Sequence, residues 1–249
     1  MRGMMRNLLA LLLLFCFLTP ISLIAPLSAQ NDPQASAPAS APEPNTKASG
    51  RIEAAGTVLD EIQGAPDQRI PEEVLGSAEC VAVVPSLLNG GFVFGARYGK
   101  GVASCRTEKG WSAPAFFTIG GGSFGLQIGG QATDVVMLIM NKGGMDHLLS
   151  SQFKVGGDAS AAAGPVGRHA AADTDWKMRA QVLTYSRSRG LFAGLELNGA
   201  VIKQDKDSTR DFYGRMVPFK TSLKGDIEAP KAAYPFLSTL AKWAQQASK

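Results

Sequence analysis

Two overlapping motifs in one glycine-rich segment carry residues that could do chemistry. Residues 120–125 satisfy G-x-G-x-x-G, the turn that holds a dinucleotide pyrophosphate against a helix N-terminus. The last five also satisfy G-x-S-x-G, in which Ser123 would be a hydrolase nucleophile, with Asp134 or Asp158 and then His169 following in a permitted order. Both motifs require a helix next, whereas the following residues alternate as a strand does. We therefore expect a serine within a glycine-rich strand, and hydrolysis at Ser123 is the alternative.

Metal ligands do not form a pattern in this chain. The two histidines, His147 and His169, make no zinc spacing with the cysteines. Asp158, Asp173 and Asp175 lack the glycine-centred loop of a calcium site. The sequence predicts no metal and no cofactor.

Basic residues at predicted strand ends and turns form a candidate site for an anion. Charge-assisted hydrogen bonds from such side chains can hold anionic head groups if the sheet gathers several of them. The alternative is a scattered, solvated surface, where most basic side chains lie. The candidates are Arg97, Lys100, Arg106, Arg168, Arg187 and Arg189.

The first residues have the pattern of an export signal. Arg2 and Arg6 precede an apolar run over 8–18, and small residues lead to a cleavage position after Ala29. Removing 1–29 leaves 23 basic and 21 acidic residues, a net charge of +2. This charge gives no reason to expect a nucleic-acid partner. We expect an exported protein that is periplasmic, envelope-associated or secreted.

Cys80 and Cys105 remain after that cleavage, and a pair of cysteines in an exported protein suggests a disulfide. If strands over 81–84, 91–98 and 102–107 formed a simple meander, the two cysteines would lie two strands apart, roughly 10 Å. That distance is too long for a disulfide. A bridge therefore requires the first and third of these strands to be neighbours, and both states stay open.

The elements that position these residues centre on a glycine-rich sheet. Twelve of the 28 glycines lie within 90–130, and Phe92, Phe94, Ala96 and Tyr98 alternate with other residues as in a half-buried strand. We expect turns at 99–101, 108–110 and 120–122, and a strand over 135–140 covered on both faces.

Helices and a linker flank this sheet. Residues 30–50 are rich in Pro, Ala and Ser, which predicts a linker. Residues 51–63 have helical spacing, and their apolar positions either pack on the sheet or form an interfacial membrane helix; these positions include Ile52, Val58, Leu59 and Ile62. Residues 218–249 are expected to form a link and a peripheral C-terminal helix.

Five sequence blocks between 70 and 215 resemble the SYLF lipid-binding domain family. They are GGFVFGARYGKGV, WSAP, GGGSFGLQIG with a following TD, DASAAAGPVGR and YSRSRGLFAG, and they occur in the family's order. The resemblance places the domain at 51–217 and implies an α+β fold: a single compact domain on a curved, mostly antiparallel glycine-rich sheet with an N-terminal helix and peripheral helices. It also implies binding of membrane lipid without catalysis. Eukaryotic members bind phosphoinositides, and fungal members have an actin-linked role.

The expected function is therefore an exported, non-catalytic protein that binds membrane phospholipid, with a preference for anionic head groups. No protein partner is identifiable from the sequence. Two other functions stay open: a serine hydrolase that uses Ser123, and a structural or adhesion module that binds an envelope protein.

Overall fold

The computed structural model describes residues 46–65, 69–91, 94–124, 129–166, 180–188, 191–193 and 197–246. All of these residues belong to one compact unit over 41–249. The predicted signal peptide and the linker up to residue 45 lie outside the described residues, as do Arg168 and Arg189.

A mixed sheet forms the centre of the described unit. Its strands are β1 (Cys80–Gly91), β2 (Phe94–Thr107), β3 (Gly110–Trp111), β4 (Ala115–Phe124), β5 (Gly129–Ile139), β6 (Gln152–Lys154), β7 (Ala161–Ala163), β8 (Val182–Ser188), β9 (Leu191–Ala193) and β10 (Val201–Gln204). The order is β6-β10-β4-β2-β1-β5-β8-β7, with β3 beside β2 and β9 beside β8. Among the named strands, only β7 and β8 pair in parallel. The α+β class and the curved, mostly antiparallel sheet are confirmed.

Two of the predicted glycine turns are wrong. Residues 99–101 lie inside β2, and residues 120–122 lie inside β4. A Cβ on Gly101 would come 2.6 Å from the Val83 carbonyl oxygen and would also meet the Phe117 ring. Glycine is used there because core atoms occupy the space of a side chain, not because the chain turns. The turn at 108–110 is confirmed, with Gly110 at a φ of 109°.

Strand β1 is longer than the sequence predicts. The meander considered from the sequence ends its first strand at residue 84, before Pro85, but β1 continues to Gly91 with a register shift between Val84 and Leu87. Ser86 at this irregularity has a φ of 59°. A bulge accommodates the proline, whose missing N–H would interrupt regular pairing.

Helices cover both faces of the sheet. They are α1 (Thr46–Gln63), α2 (Glu72–Ser77), α3 (Lys142–Leu149), α4 (Lys206–Tyr213), α5 (Phe219–Leu223) and α6 (Tyr234–Gln246), preceded by a 3₁₀ turn (Lys231–Ala233). We call the face packed by α1, α2, α4 and α6 the helix face. The second face packs against α3 and α5.

The first helix is a core element. Ile52, Leu59 and Ile62 are fully buried, and Val58 is 5% exposed. They pack with strand residues of the helix face and with Phe236 and Leu240 of α6. The interpretation of this apolar stripe as a membrane-binding face is therefore corrected, because the sheet and α6 already cover it. The helix also begins at Thr46, inside the predicted linker.

The C-terminal helix is more deeply packed than a peripheral helix. Phe236 and Leu240 of α6 are buried, and Asp60 of α1 accepts hydrogen bonds from Lys242 Nζ (2.9 Å) and Trp243 Nε1 (2.7 Å). A Cβ on Gly56 would lie 3.1 Å from the Pro235 carbonyl oxygen. These contacts fix α6 along α1.

Candidate functional site

Lys100, one of the predicted anion ligands, binds a carboxylate of its own chain. Its Nζ donates to Asp205 Oδ2 over 2.8 Å. Asp205 is also the N-cap of α4, where it accepts from the Ser208 N–H at 3.1 Å. Arg51 of α1 lies 3.5 Å from the same carboxylate and donates to Ser208 Oγ at 3.1 Å. This cluster joins α1, β2 and α4.

The electrostatics of the cluster favour a charged Asp205. Burial alone raises the pKa of Asp205, but hydrogen bonds from Lys100 and Ser208 outweigh it, so the pKa lies below its usual value. Burial lowers the pKa of Arg51, and Asp205 offsets part of that effect. Two cations facing one anion leave the cluster with a net positive charge.

Arg106 completes a helix end. Its Nε donates to the Ala78 carbonyl (2.9 Å) and its Nη2 to the Leu75 carbonyl (3.2 Å), which satisfies acceptors at the C-terminus of α2. The guanidinium lies 4.7 Å from the centre of the Trp111 ring. Burial lowers the pKa of Arg106. These contacts indicate a structural role for this side chain.

The remaining described candidates lie elsewhere. Arg187 pairs with Glu61 of α1. Arg97 is half-buried next to Asn89 and Gly121 in the sheet register, and burial lowers its pKa. Arg97 therefore lies on the second face, and the other three described candidates contact separate groups of their own chain, namely Asp205, the end of α2 and Glu61.

A disulfide joins Cys80 and Cys105. The two residues are direct cross-strand partners, because β1 and β2 are long neighbouring strands rather than the first and third strands of a meander. The geometric objection raised by the sequence depended on breaking β2 into two strands, and that division is wrong. Both cysteines are fully buried.

The context that a nucleophile elbow requires is not found at Ser123. The residue lies within β4, opposite Gly95 of β2, instead of at a strand-to-helix turn. Asp134 accepts from the Ser86 N–H and Asp158 from the Lys154 N–H, while His169 lies outside the described residues.

The described residues contain neither a metal-binding cluster nor a membrane-spanning helix. No group of histidine, cysteine and acidic residues there could hold a metal ion. In the same part of the chain, none of the helices combines the length and apolarity needed to cross a membrane.

An apolar surface is exposed on the helix face of β1, β2 and β5. Leu88 is 56% exposed and Tyr98 51%, and the two are direct cross-strand partners. Ala132, opposite Leu88 on β5, is also exposed, as is the pair Gly90 and Ala96. We call these five residues the apolar shelf.

The apolar shelf belongs to the helix face. Tyr98 alternates with Lys100, which binds the α4 cap, and with the buried Val102 under α1. A Cβ placed on Gly90 would have no neighbour within 4 Å, so the space above it is open. The alternation therefore predicts the strand over 94–98 correctly but not the exposure of Ala96 and Tyr98, while Phe92 lies outside the described residues.

A groove of about 440 Å³ lies at the apolar shelf. Asn89, Arg97 and Gln131 complete its lining. Because these three residues alternate with Leu88, Tyr98 and Ala132 along their strands, their side chains lie on the opposite face of the sheet, and the side chains in the groove are those of the apolar shelf. Such a groove can hold an apolar group, and no motif in the sequence predicted it.

Lysines continue the same face on β10 and β6. Sheet register places Lys203 beside Thr118 and Thr118 beside Lys100. The neighbouring row of cross-strand partners contains Lys154. In that row Lys154 of β6 pairs with Val201 of β10, Val201 pairs with Gly120 of β4, and Gly120 pairs with Tyr98. Lys154 and Lys203 are both exposed. Their chemistry is that of the predicted basic site, but they are not among its sequence-based candidates, because β6 and β10 are short strands distant in sequence from β2.

Comparison with known proteins identifies the domain. A family model described as "Ysc84: Las17-binding protein actin regulator" matches residues 120–243. The LAS seventeen-binding protein 3 of Saccharomyces cerevisiae is 35% identical over 201 residues, which cover 78% of this chain and 43% of the yeast protein. The SH3 domain-containing YSC84-like protein 1 of Rattus norvegicus is 33% identical over 173 residues, covering 69% of this chain and 51% of the rat protein. The chain therefore spans about half the length of these relatives, or less.

Proposed function

Because this chain belongs to the SYLF family, whose domain is also named Ysc84, we propose that it is an exported, non-catalytic protein that binds lipid at a membrane or cell-envelope surface. The names of the matched relatives describe actin regulation or SH3 domains. Export would separate this chain from actin, so we do not extend that role to it.

The apolar shelf is the observation that carries the proposal. Contiguous exposed apolar surface rimmed by polar residues is typical of interaction sites. Leu88 and Tyr98 are more than half exposed although they lie in the middle of paired strands. Tyrosine has an apolar ring and a polar hydroxyl, which suits the boundary between lipid and water.

Two features support export. The pattern at 1–29 is that of a signal peptide. The disulfide between Cys80 and Cys105 suits an oxidising compartment, since cytosolic thiols are kept reduced. Mass spectrometry of the protein from its native host tests both features. A mature N-terminus at residue 30 and a mass two hydrogens below the reduced chain are expected, and an intact N-terminus with free thiols would contradict export.

Vesicle co-sedimentation tests lipid binding. The purified protein is mixed with vesicles of phosphatidylcholine, with and without phosphatidylglycerol, and compared with the double variant Leu88→Ser/Tyr98→Ser. About half of each side chain is exposed, and burying that half in the bilayer contributes roughly 1 kcal/mol. The double variant loses both contributions and should therefore bind about 30-fold more weakly. Tyr234, 56% exposed at the start of α6, supplies the control Tyr234→Ser. If the wild type bound neither kind of vesicle, the proposed function would be refuted.

A further inference from the structure

We infer that the protein binds the surface of an anionic bilayer with the part of the helix face that carries the apolar shelf. In this arrangement Lys154 and Lys203 contact the head groups beside the shelf. The inference rests on the proposed lipid binding. It commits to a bilayer surface rather than to one lipid molecule held in the groove.

The first argument is the continuity of the surface. Lys154, Val201, Gly120, Tyr98, Leu88 and Ala132 follow one another across β6, β10, β4, β2, β1 and β5. Cross-strand partners place their side chains on the same face of a sheet. With about 4.8 Å between strands, this row is roughly 24 Å long. A single head group cannot contact so long a row, whereas a bilayer surface can.

The second argument is the distribution of charge. Lys203 and Lys154 lie on neighbouring strands, one diagonal step apart. Within the described chain, neither side chain has a carboxylate in salt-bridge distance. Asp158 accepts from the backbone N–H of Lys154 and offsets part of the local charge. Together with Lys100, Arg51 and Asp205, these groups leave this side of the shelf with a net charge of +2.

The third argument separates a bilayer from a protein partner. Lysine is depleted from the cores of protein–protein interfaces, while each lysine near an anionic leaflet contributes attraction. The apolar shelf lies beside the lysines on the same face, so apolar contact and head-group contact can occur together. This combination is typical of interfacial membrane binding.

The opposite border of the shelf has a different character. There Asp134 accepts from the Ser86 N–H, and Arg187 pairs with Glu61. Asp134 and Arg187 are cross-strand partners on β5 and β8. The charges on this side neutralise each other apart from one carboxylate. The lysine side of the shelf should therefore lie closest to an anionic surface.

Charge neutralisation tests the inference. The variant Lys154→Gln/Lys203→Gln is compared with Lys109→Gln/Lys231→Gln, which removes the same charge from exposed residues outside this row. On vesicles that contain phosphatidylglycerol, the first variant should bind roughly 30-fold more weakly at low salt. The control should stay within about two-fold of wild type, and neither change should alter binding to pure phosphatidylcholine. Circular dichroism confirms that both variants are folded.

Each result has a distinct meaning. If the wild type binds no vesicle, the proposed function itself fails. If it binds but the two variants weaken binding equally, lipid binding stands and the assigned surface is wrong. A short-chain phosphatidylglycerol below its micelle concentration serves as the single-lipid probe. Full competition by that monomer, or a dimer that Leu88→Ser/Tyr98→Ser dissociates, would also overturn the bilayer assignment.

Discussion

Removing the Asp205 carboxylate should destabilise the junction of α1, β2 and α4. Asp205→Ala removes the N-cap of α4, a loss of about 1 kcal/mol, and the charge-assisted bond from Lys100, which is worth about 1.5–3 kcal/mol. Lys100 is 39% exposed, so water replaces part of that bond. We therefore expect a loss of about 2–4 kcal/mol in the free energy of unfolding, measured by urea denaturation under non-reducing conditions.

Asp205→Asn separates the cap from the charge, because Asn caps helices as well as Asp does. This variant should lose about 1–2 kcal/mol at pH 7. The folded pKa of Asp205 lies below the unfolded value of about 3.9. Its charge therefore stabilises the protein above that pH and ceases to do so as the pH falls through the folded pKa. The difference between wild type and Asp205→Asn should shrink between pH 5 and pH 2. An equal difference at pH 7 and pH 2, or none at pH 7, would refute the role given to this carboxylate.

Three other perturbations follow from the fold. Replacing Cys80 and Cys105 by Ala should lower the unfolding free energy by about 3–4 kcal/mol for a sequence separation of 25, and addition of reductant should leave this variant's denaturation curve unchanged. Gly101→Ala should cost about 1–3 kcal/mol through overpacking, whereas Gly90→Ala, which meets open space, should cost less than 1 kcal/mol by the same assay. Arg106→Ala should cost about 1–3 kcal/mol, because it unpairs the Ala78 carbonyl and removes one of the two bonds to the Leu75 carbonyl, which still accepts from the Ala78 N–H. Its vesicle binding should equal that of wild type, and a selective loss of binding would return Arg106 to the lipid site.

The period-two pattern around the glycines was sufficient to predict the class of fold. It predicts an antiparallel sheet because alternation and β-pairing are local properties of each strand. It does not distinguish a glycine that turns the chain from one that admits a neighbour. Gly101 shows the difference, since the atoms that exclude its side chain belong to Val83 and Phe117 on two other strands.

Burial of an apolar stripe cannot be read from the stripe itself. The stripe of α1 and the alternating residues of β2 both look half-buried in sequence. The first is fully covered because α6, which is more than 170 residues later, packs along it. Tyr98 stays 51% exposed although it lies on the same face of β2 as the buried Val102. The apolar stripe of α1 is thus part of the core, whereas the apolar residues of β2 around Tyr98 form an exposed surface.

The sequence shows which residues are basic but not which carboxylates they pair with in the fold. Lys100 and Arg187 look available for a ligand, yet Asp205 and Glu61 bind them from distant parts of the chain. Lys154 and Lys203 were not selected, although sheet register places them beside the apolar shelf. Register between strands remote in sequence is a tertiary property, so a single sequence could not supply it.

The most direct measurement of the central claim is fluorescence quenching by brominated phospholipid. Tyr98→Trp places a reporter on the apolar shelf, and Tyr234→Trp places one of similar exposure on α6 as a matched control. The emission of the wild-type tryptophans is subtracted from both. On anionic vesicles carrying bromine near the head groups, the Tyr98→Trp signal should be strongly quenched and the Tyr234→Trp signal should not. Quenching of Tyr234→Trp alone, or of neither reporter while the protein sediments with the vesicles, would contradict membrane binding through this face.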